Sequence, residues 1–147
     1  MKKFLFGITL FLILAAPGFS IPTPPEFEEL VKNSDFIAKS KLTNVRQNKL
    51  GKNTISVGAE VEILKLYKSK GSIPNKLNIA FIIFPEYFGK WLREAPPEGE
   101  YIIFYIKKKV KDSSGKEGEI ITLFEPHPFA FKEYSEETEK RILNLSK

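Results

Sequence analysis

Strict alternation of apolar and polar side chains between residues 55 and 63 is the clearest structural pattern in the chain. The apolar positions are Ile55, Val57, Ala59, Val61 and Ile63. Because successive side chains of a strand point to opposite faces, this pattern predicts a β-strand with one buried face. After Ile63 the apolar phase shifts to Leu64 and Leu66, so we predict a β-bulge or a bend at that point.

Further extended runs are predicted on both sides of this strand. They cover residues 36–47, 77–84, 101–106 and 120–124, with a short edge segment over 129–131. The first run alternates imperfectly, which predicts a bulge, and the second is nearly all apolar, which favours a strand covered on both faces. Turn-forming residues over 50–53, 68–75, 96–100 and 112–118 separate the strands.

Three segments have helical spacing instead. Residues 26–32 form a short amphipathic helix in this interpretation, with acidic residues in its first turn. Residues 86–95 are predicted to form a helix that carries aromatic side chains on one side. A closing helix is predicted to begin at Ser135, an N-cap residue that precedes Thr138 by three positions.

The first twenty residues have the composition of an export signal. Lys2 and Lys3 form a positive start, and residues 4–16 are apolar apart from one glycine and one threonine. This run is shorter than the roughly 20 residues that a helix needs to cross a bilayer. We predict cleavage after Ser20, the alternative being an uncleaved anchor.

The predicted organisation is therefore a signal peptide over residues 1–20 and a single domain over 21–147. The protein is expected to be exported and to be periplasmic or secreted, with no transmembrane segment after cleavage. Since the sequence has no cysteine, a lipid anchor on cysteine is excluded.

The composition of the chain limits the kinds of functional site that it can form. The 147-residue chain is 42% hydrophobic, too apolar for a disordered protein, and its length fits one domain. Without cysteine there is no disulfide, thiolate zinc site, iron–sulfur cluster or cysteine nucleophile. The single histidine cannot form a multi-histidine metal site, so we predict neither a cofactor nor a metal. The formal net charge of +5 comes without a glycine-rich phosphate loop or an arginine cluster, so no nucleic-acid partner is predicted.

Five strands with a helix between the third and the fourth follow the order of an OB-type Greek-key barrel. The predicted fold class is therefore mainly β. We expect a five-stranded OB-like Greek-key barrel, with a short helix between strands 3 and 4 and with flanking N-terminal and C-terminal helices.

Three stretches carry a resemblance to a known family. Residues 29–42 (ELVKNSDFIAKSKL), 61–68 (VEILKLYK) and 99–105 (GEYIIFY) look like the opening, the second strand and the fourth strand of its members. On these residues the chain resembles bacterial exported OB-fold proteins similar to the tissue inhibitor of metalloproteinases and netrin-module families. The resemblance spans roughly residues 27–124.

The resemblance implies one alternative function, inhibition of a metalloprotease by the mature N-terminus. In the animal inhibitors the N-terminal amine and first carbonyl chelate the protease zinc, held by a disulfide from the first cysteine. Here Ile21 and Pro22 would occupy those positions, and the chain departs from the family in having no cysteine. Pro22, Pro24 and Pro25 fix φ and so stiffen the terminus without a disulfide.

Aromatic side chains are concentrated between the third and fourth predicted strands. Tyr87, Phe88 and Trp91 are candidate binding residues, because OB barrels bind ligands on one sheet face and its loops. The alternative is that they plug the open end of the barrel as core residues.

Lysines are concentrated at the predicted turn between the last two strands. Lys107 and Lys109 are the candidate binding residues of this run, which would attract an anionic membrane face or a polyanion. The alternative is that these lysines protect a sheet edge from pairing.

An enzyme is the weakest interpretation. His127 near Glu125, or the carboxylates of Glu60 and Glu62, would be the residues of a hydrolase, but a surface histidine and solvated strand carboxylates explain the same pattern. We therefore predict a small exported binding module without catalytic activity. Its partner would be a protein or an envelope component, contacted through the barrel face and the loops over 68–75 and 112–118. The oligomeric state is left open.

Overall fold

The computed structural model describes residues 23–89 and 92–146, apart from the side chain of Phe88. Its elements are α1 (Phe27–Asn33), β1 (Phe36–Gly51), β2 (Thr54–Ser69), β3 (Lys76–Ile83), α2 (Pro85–Phe88), β4 (Gly99–Lys111), β5 (Glu117–Leu123), a 3₁₀ segment (His127–Ala130), β6 (Phe131–Glu133) and α3 (Glu136–Leu145). The predicted export signal, Ile21, Pro22 and Trp91 lie outside the described residues.

All six strands belong to one antiparallel sheet, so the protein is mainly β, as predicted. The strand order is β3-β2-β1-β4-β5, and β6 also pairs with β4. The strands β5 and β6 follow the same edge of β4: β5 pairs with residues 105–111 and β6 with residues 101–103. No helix in the described part of the chain is long and apolar enough to cross a membrane.

The predicted bulge at Leu64 is confirmed. Lys39 pairs with Lys65, whereas the next residue, Ser40, pairs with Ile63. Leu64 is therefore the extra residue in β2. It allows the apolar side chains on either side of it to stay on the same face of the sheet although their sequence phase changes.

The predicted irregularity in β1 is also confirmed. The register moves from Thr43 opposite Glu60 to Arg46 opposite Gly58, so two residues of β1 face one of β2. Asn44 has a φ of 52°. Asparagine tolerates this left-handed conformation better than most residues, which makes the bulge possible there without glycine.

The main core lies on the concave side of the sheet. It contains buried side chains from all of the first five strands and from the 3₁₀ segment: Phe36, Ala38, Leu42, Val57, Ala59, Val61, Ile79, Phe81, Ile83, Ile103, Tyr105, Leu123 and Ala130. Strands from both ends of the order contribute to one cluster, so the sheet is strongly curved. The buried Ser40 Oγ and Tyr105 hydroxyl satisfy each other at 2.9 Å within this core.

The curved sheet is not closed. In the described residues β3 and β5 approach each other, but no hydrogen-bonded ladder joins them, and the 3₁₀ segment also lies against β3. Pro126 and Pro128 have no N–H to donate, so this part of the chain cannot continue a ladder. The gap is filled by side chains, since the Phe81 ring lies 5.9 Å from His127 and 5.6 Å from Phe131.

The two longer helices cover the convex side of the sheet over β1 and β4. A second buried cluster joins them to it: Leu30, Val31, Ile37, Ile102, Phe104 and Ile142. Arg141 in α3 binds Glu28 in α1 at 2.6 Å and lies over the Phe27 ring. The predicted N-cap of α3 is confirmed, because Ser135 Oγ accepts a hydrogen bond from the Thr138 amide at 3.1 Å.

The helix predicted over residues 86–95 is wrong in length, since α2 ends at Phe88. After it, the chain lies along β1: the Ala95 amide donates to Gln47 Oε1 at 2.9 Å, and the Val45 amide donates to Glu98 Oε1 at 3.3 Å. Helical spacing is a weak preference, and these tertiary bonds override it.

Candidate functional site

Of the three predicted aromatic site residues, the structure describes one side chain. Tyr87 is 45% exposed, and its ring meets the exposed Phe84 ring edge to face at 6.4 Å. Phe88's side chain and Trp91 lie outside the described residues. The aromatic groove therefore stays a prediction, and the described chain shows one exposed aromatic pair at the end of β3.

The predicted lysines lie at the opposite end of the sheet, on a part of β4 that pairs with one strand instead of two. The strand β1 pairs with β4 only as far as Phe36 opposite Tyr105. Beyond Tyr105, β4 pairs with β5 alone among the described strands. Residues 106–122 thus form a protruding two-stranded segment, which we call the ribbon.

Asp35 holds this end of the sheet together. It lies between α1 and β1, its Oδ2 accepts from the Lys107 amide at 2.9 Å, and its Oδ1 binds Lys70 Nζ at 3.1 Å. The hydrogen bond from the Lys107 amide, followed by the Lys70 ammonium and the charge of Lys107, holds the pKa of Asp35 below its usual range. The carboxylate therefore stays ionised and fixes residues from β4 and from the end of β2 around one point.

Lys68 approaches the same point from β2. Its Nζ donates to Val31 O at 2.7 Å and to Lys32 O at 3.0 Å, which are carbonyls at the C-terminal end of α1. Burial, followed by the nearby Lys70 charge, lowers the pKa of Lys68. Lys68 and Lys70 are thus close enough to repel, and a single carboxylate does not neutralise both.

The charge of the Lys107 ammonium acts on the Asp35 carboxylate, but no hydrogen bond holds this ammonium within the described residues. Its Nζ lies 5.6 Å from the centre of the buried Phe36 ring and has no hydrogen-bond acceptor within the described residues. The chain at Gly71 passes so close that a Cβ there would lie 2.9 Å from Nζ, and Gly71 has a φ of +123°. The Nζ atom is the movable end of a flexible side chain, so glycine is required here for its backbone conformation and not for space.

Lys109 lies two residues further along the same face of β4, opposite Glu119, and is exposed. The lysine cluster is defined as Lys68, Lys70, Lys107 and Lys109. Two of these, Lys107 and Lys109, are the predicted site residues. Lys68 and Lys70 fall in a segment that the sequence predicted as a contact loop, and their convergence on Asp35 depends on the strand register.

The residues of the hydrolase hypothesis are placed in different surroundings. Glu60 and Glu62 line a polar cleft of about 260 Å³ together with Lys76 and Asn78. His127 does not line that cleft and lies beside Glu125. Within residues 23–89 and 92–146, no three histidine, aspartate or glutamate side chains are arranged to hold a metal ion.

His127 is packed into the gap between β3 and the end of β5. Its side chain is 23% exposed, and its Nε2 lies 3.5 Å from Glu125 Oε1, which also binds Lys108 at 2.5 Å. Burial lowers the pKa of His127, Lys108 lowers it further, and Glu125 partly opposes both effects. The neutral imidazole is thus the form that the fold favours.

The surroundings of His127 predict how the stability of the fold depends on pH. Because the pKa of His127 is lower in the folded than in the unfolded chain, its contribution to stability is fully present above its unfolded value near 6.5 and is lost as the pH falls through its folded pKa. Urea unfolding at pH 7.5 and 5.5 should show a loss for the wild type and a smaller loss for His127→Gln. The difference between the two losses is the contribution of the histidine. Equal losses in the two proteins would contradict the assignment.

Comparisons with known proteins add no relative. No family model, no curated protein and no solved structure matches the chain.

Proposed function

We propose that this protein is a small exported binding module that contacts an anionic component of the cell envelope through its lysine cluster. The observation that carries the proposal is the Lys107 ammonium, which lies 5.6 Å from the centre of the Phe36 ring and has no hydrogen-bond acceptor in the described chain. Export follows from the composition of residues 1–20.

The chemistry favours phosphate or carboxylate groups as ligands. Lysine ammonium groups bind both as point charges. Here Asp35 bonds to the Lys107 amide and to the Lys70 ammonium, so the positive charge is positioned before a partner binds. Such preorganisation reduces the ordering cost of binding.

We also infer that the curved sheet is a variant of the OB-type barrel, related to the family that the sequence resembles. The strand order β3-β2-β1-β4-β5, with α2 between β3 and β4, supports this relationship. An experimental structure with a parallel hydrogen-bonded ladder between β3 and β5 would support it further, and a flat sheet would contradict it.

The proposal is tested with the purified protein in its exported form, after removal of the signal segment, and lipid vesicles. Phosphatidylcholine vesicles with and without phosphatidylglycerol present the same surface with and without anionic phosphate. We expect cosedimentation with the anionic vesicles only, decreasing with salt. Since a lysine near an anionic surface contributes about 1 kcal/mol, Lys107→Glu combined with Lys109→Glu should weaken binding by more than about tenfold at low salt.

The matched control is Lys49→Glu combined with Lys52→Glu, which makes the same change of charge at the tip of the β1–β2 hairpin. The N-terminal segment is identical in both double variants, so any difference between them reports the position of the lysines. Equal binding to neutral vesicles, or an equal loss in both variants, would contradict the proposed function.

A further inference from the structure

The lysines on the concave face of the ribbon differ in what lies opposite them. Alternation places Lys107, Lys109 and Lys111 on this face of β4, and directly paired residues of antiparallel strands share a face. Their partners in β5 are, in the same order, Ile121, Glu119 and Glu117. Lys111 is bound to Glu117 at 3.1 Å. Lys107, at the base of the ribbon, is therefore the lysine of this row that has an apolar residue across the ribbon instead of a carboxylate.

Positive charge exceeds negative charge at the base of the ribbon. The ammonium groups of Lys68, Lys70 and Lys107 all interact electrostatically with Asp35 or its neighbours there, and three positive charges less one negative charge leave +2. The Lys68 ammonium is already held by two carbonyls of α1. Lys70 contacts Asp35, but its side chain is 56% exposed and an ammonium has three N–H donors. Lys70 and Lys107 can therefore both donate to a bound anion.

The backbone at Gly71 adds a third donor to this place. Gly71 follows Lys70 in the chain and lies against the Lys107 ammonium, since a Cβ at this position would be 2.9 Å from Nζ. Its amide donates to no acceptor within the described residues. An anion bound to the Lys107 ammonium would therefore lie beside a backbone N–H that the fold leaves unused, and backbone N–H groups are good donors to anions.

Charge and donor number indicate the class of ligand. A phosphate monoester has a charge of about −1.5 to −2 at neutral pH and three strong acceptor oxygens. A phosphate diester or a carboxylate has one negative charge and two such oxygens. The net charge of the four groups and the three donors of Lys70, Lys107 and Gly71 match the monoester better. A long polyanion would need further unpaired lysines, whereas Lys109 and Lys111 face carboxylates.

We propose that the base of the ribbon binds a single phosphate monoester group through the ammonium groups of Lys70 and Lys107 and the amide of Gly71. Lys109 and Lys111 lie outside this site. The inference rests on the proposed function and names the ligand class of the same lysine cluster. A lipid headgroup and a soluble phosphorylated molecule present the same group, so the experiments below also distinguish these two sources.

Methyl phosphate is the probe for this site, and dimethyl phosphate, the corresponding diester, is its matched control. NMR titration of the exported form at constant ionic strength reports the backbone amides of Gly71 and Lys107 individually. We expect methyl phosphate to shift both amides and to bind at least about tenfold more tightly than dimethyl phosphate, since it has more charge and one more acceptor oxygen. Equal affinities of the two probes, or no shift at these amides, would overturn the inference.

A pair of matched variants locates the site on the ribbon. Lys107→Gln removes the ammonium that has no acceptor and keeps the backbone amide that donates to Asp35. It should weaken methyl phosphate binding by more than about tenfold, because a charge-assisted hydrogen bond is lost. Lys109→Gln makes the same change two residues further along the same face and should weaken binding by less than about twofold. Equal losses in the two variants would overturn the inference.

Lys107→Arg keeps the positive charge and should keep most of the affinity. The amide spectrum of each variant without ligand shows whether the fold is retained. A large loss in Lys107→Arg with an unchanged fold would mean that the lysine does not act through its charge, and this result would also overturn the inference.

Vesicles identify the source of the phosphate group. Phosphatidic acid presents a phosphate monoester and phosphatidylglycerol presents a diester, in vesicles of matched anionic charge. Tighter binding to phosphatidic acid, with competition by methyl phosphate, would support the site and assign it to a lipid headgroup. Equal binding to the two lipids, together with the methyl phosphate shifts, would support the site and assign it to a soluble phosphate monoester.

The failures of this inference and of the proposed function are distinguishable. Lysine-dependent binding to phosphatidylglycerol vesicles without any binding of methyl phosphate would overturn the monoester site and leave the proposed function. No binding of methyl phosphate and none to anionic vesicles would overturn both.

Discussion

Replacing Phe104 with alanine is expected to lower the free energy of unfolding by about 3–5 kcal/mol, as for other buried phenylalanines. Phe104 is fully buried between the sheet and α1, where its ring meets Phe27 edge to face at 6.2 Å. Removing it leaves a cavity in the cluster that holds both longer helices on the convex face. The total free energy of unfolding of a natural domain is about 5–15 kcal/mol, so this loss is large.

Urea unfolding followed by circular dichroism measures the Phe104→Ala effect, and Phe84→Ala is the control. Phe84 is exposed, and its removal should cost less than about 1 kcal/mol. Hydrogen exchange should show that the amides of α1 lose protection before those of β2. An equally small effect at both positions would show that the helices are not held by this cluster.

Replacing Phe81 with alanine is also expected to lower the free energy of unfolding by about 3–5 kcal/mol. Phe81 is nearly fully buried and fills the gap between β3 and the 3₁₀ segment. Its loss should also admit water to the imidazole of His127. Because burial is the main cause that lowers the pKa of His127, this pKa should rise toward its ordinary value in the variant.

His127 is the single histidine of the chain, so one set of imidazole proton resonances reports its pKa by NMR titration. Ile82→Ala is the matched control, because Ile82 is the next residue in β3 and its side chain is exposed. It should change stability by less than about 1 kcal/mol and leave the pKa unchanged. An unchanged pKa in Phe81→Ala would mean that Phe81 does not shield the histidine.

Local patterns in the sequence were sufficient for much of the fold. Alternation located the strands, the change of phase at Leu64 located a bulge, and Ser135 with Thr138 located the start of α3. Each of these features depends on residues within a few positions of one another, so the sequence carries the complete signal.

Predictions failed where distant residues compete with a local preference. Residues 86–95 have helical spacing, but hydrogen bonds to Gln47 and Val45 in β1 hold the chain after α2 in another conformation. The predicted fourth strand was too short at both ends. Lys107–Lys111 shows no apolar alternation, yet pairing with β5 extends β4 through it.

The sequence determined by itself that the chain is mainly β, roughly where its strands lie, where β2 bends, and that lysines outnumber acidic residues near its last hairpin. Tertiary structure decided that the sheet stays unclosed and that Lys68, Lys70 and Lys107 meet around Asp35. Periodicity is a property of neighbouring residues, whereas these contacts join residues up to 72 positions apart. Their distance depends on strand register and on curvature, which are set only when the whole sheet packs against its core.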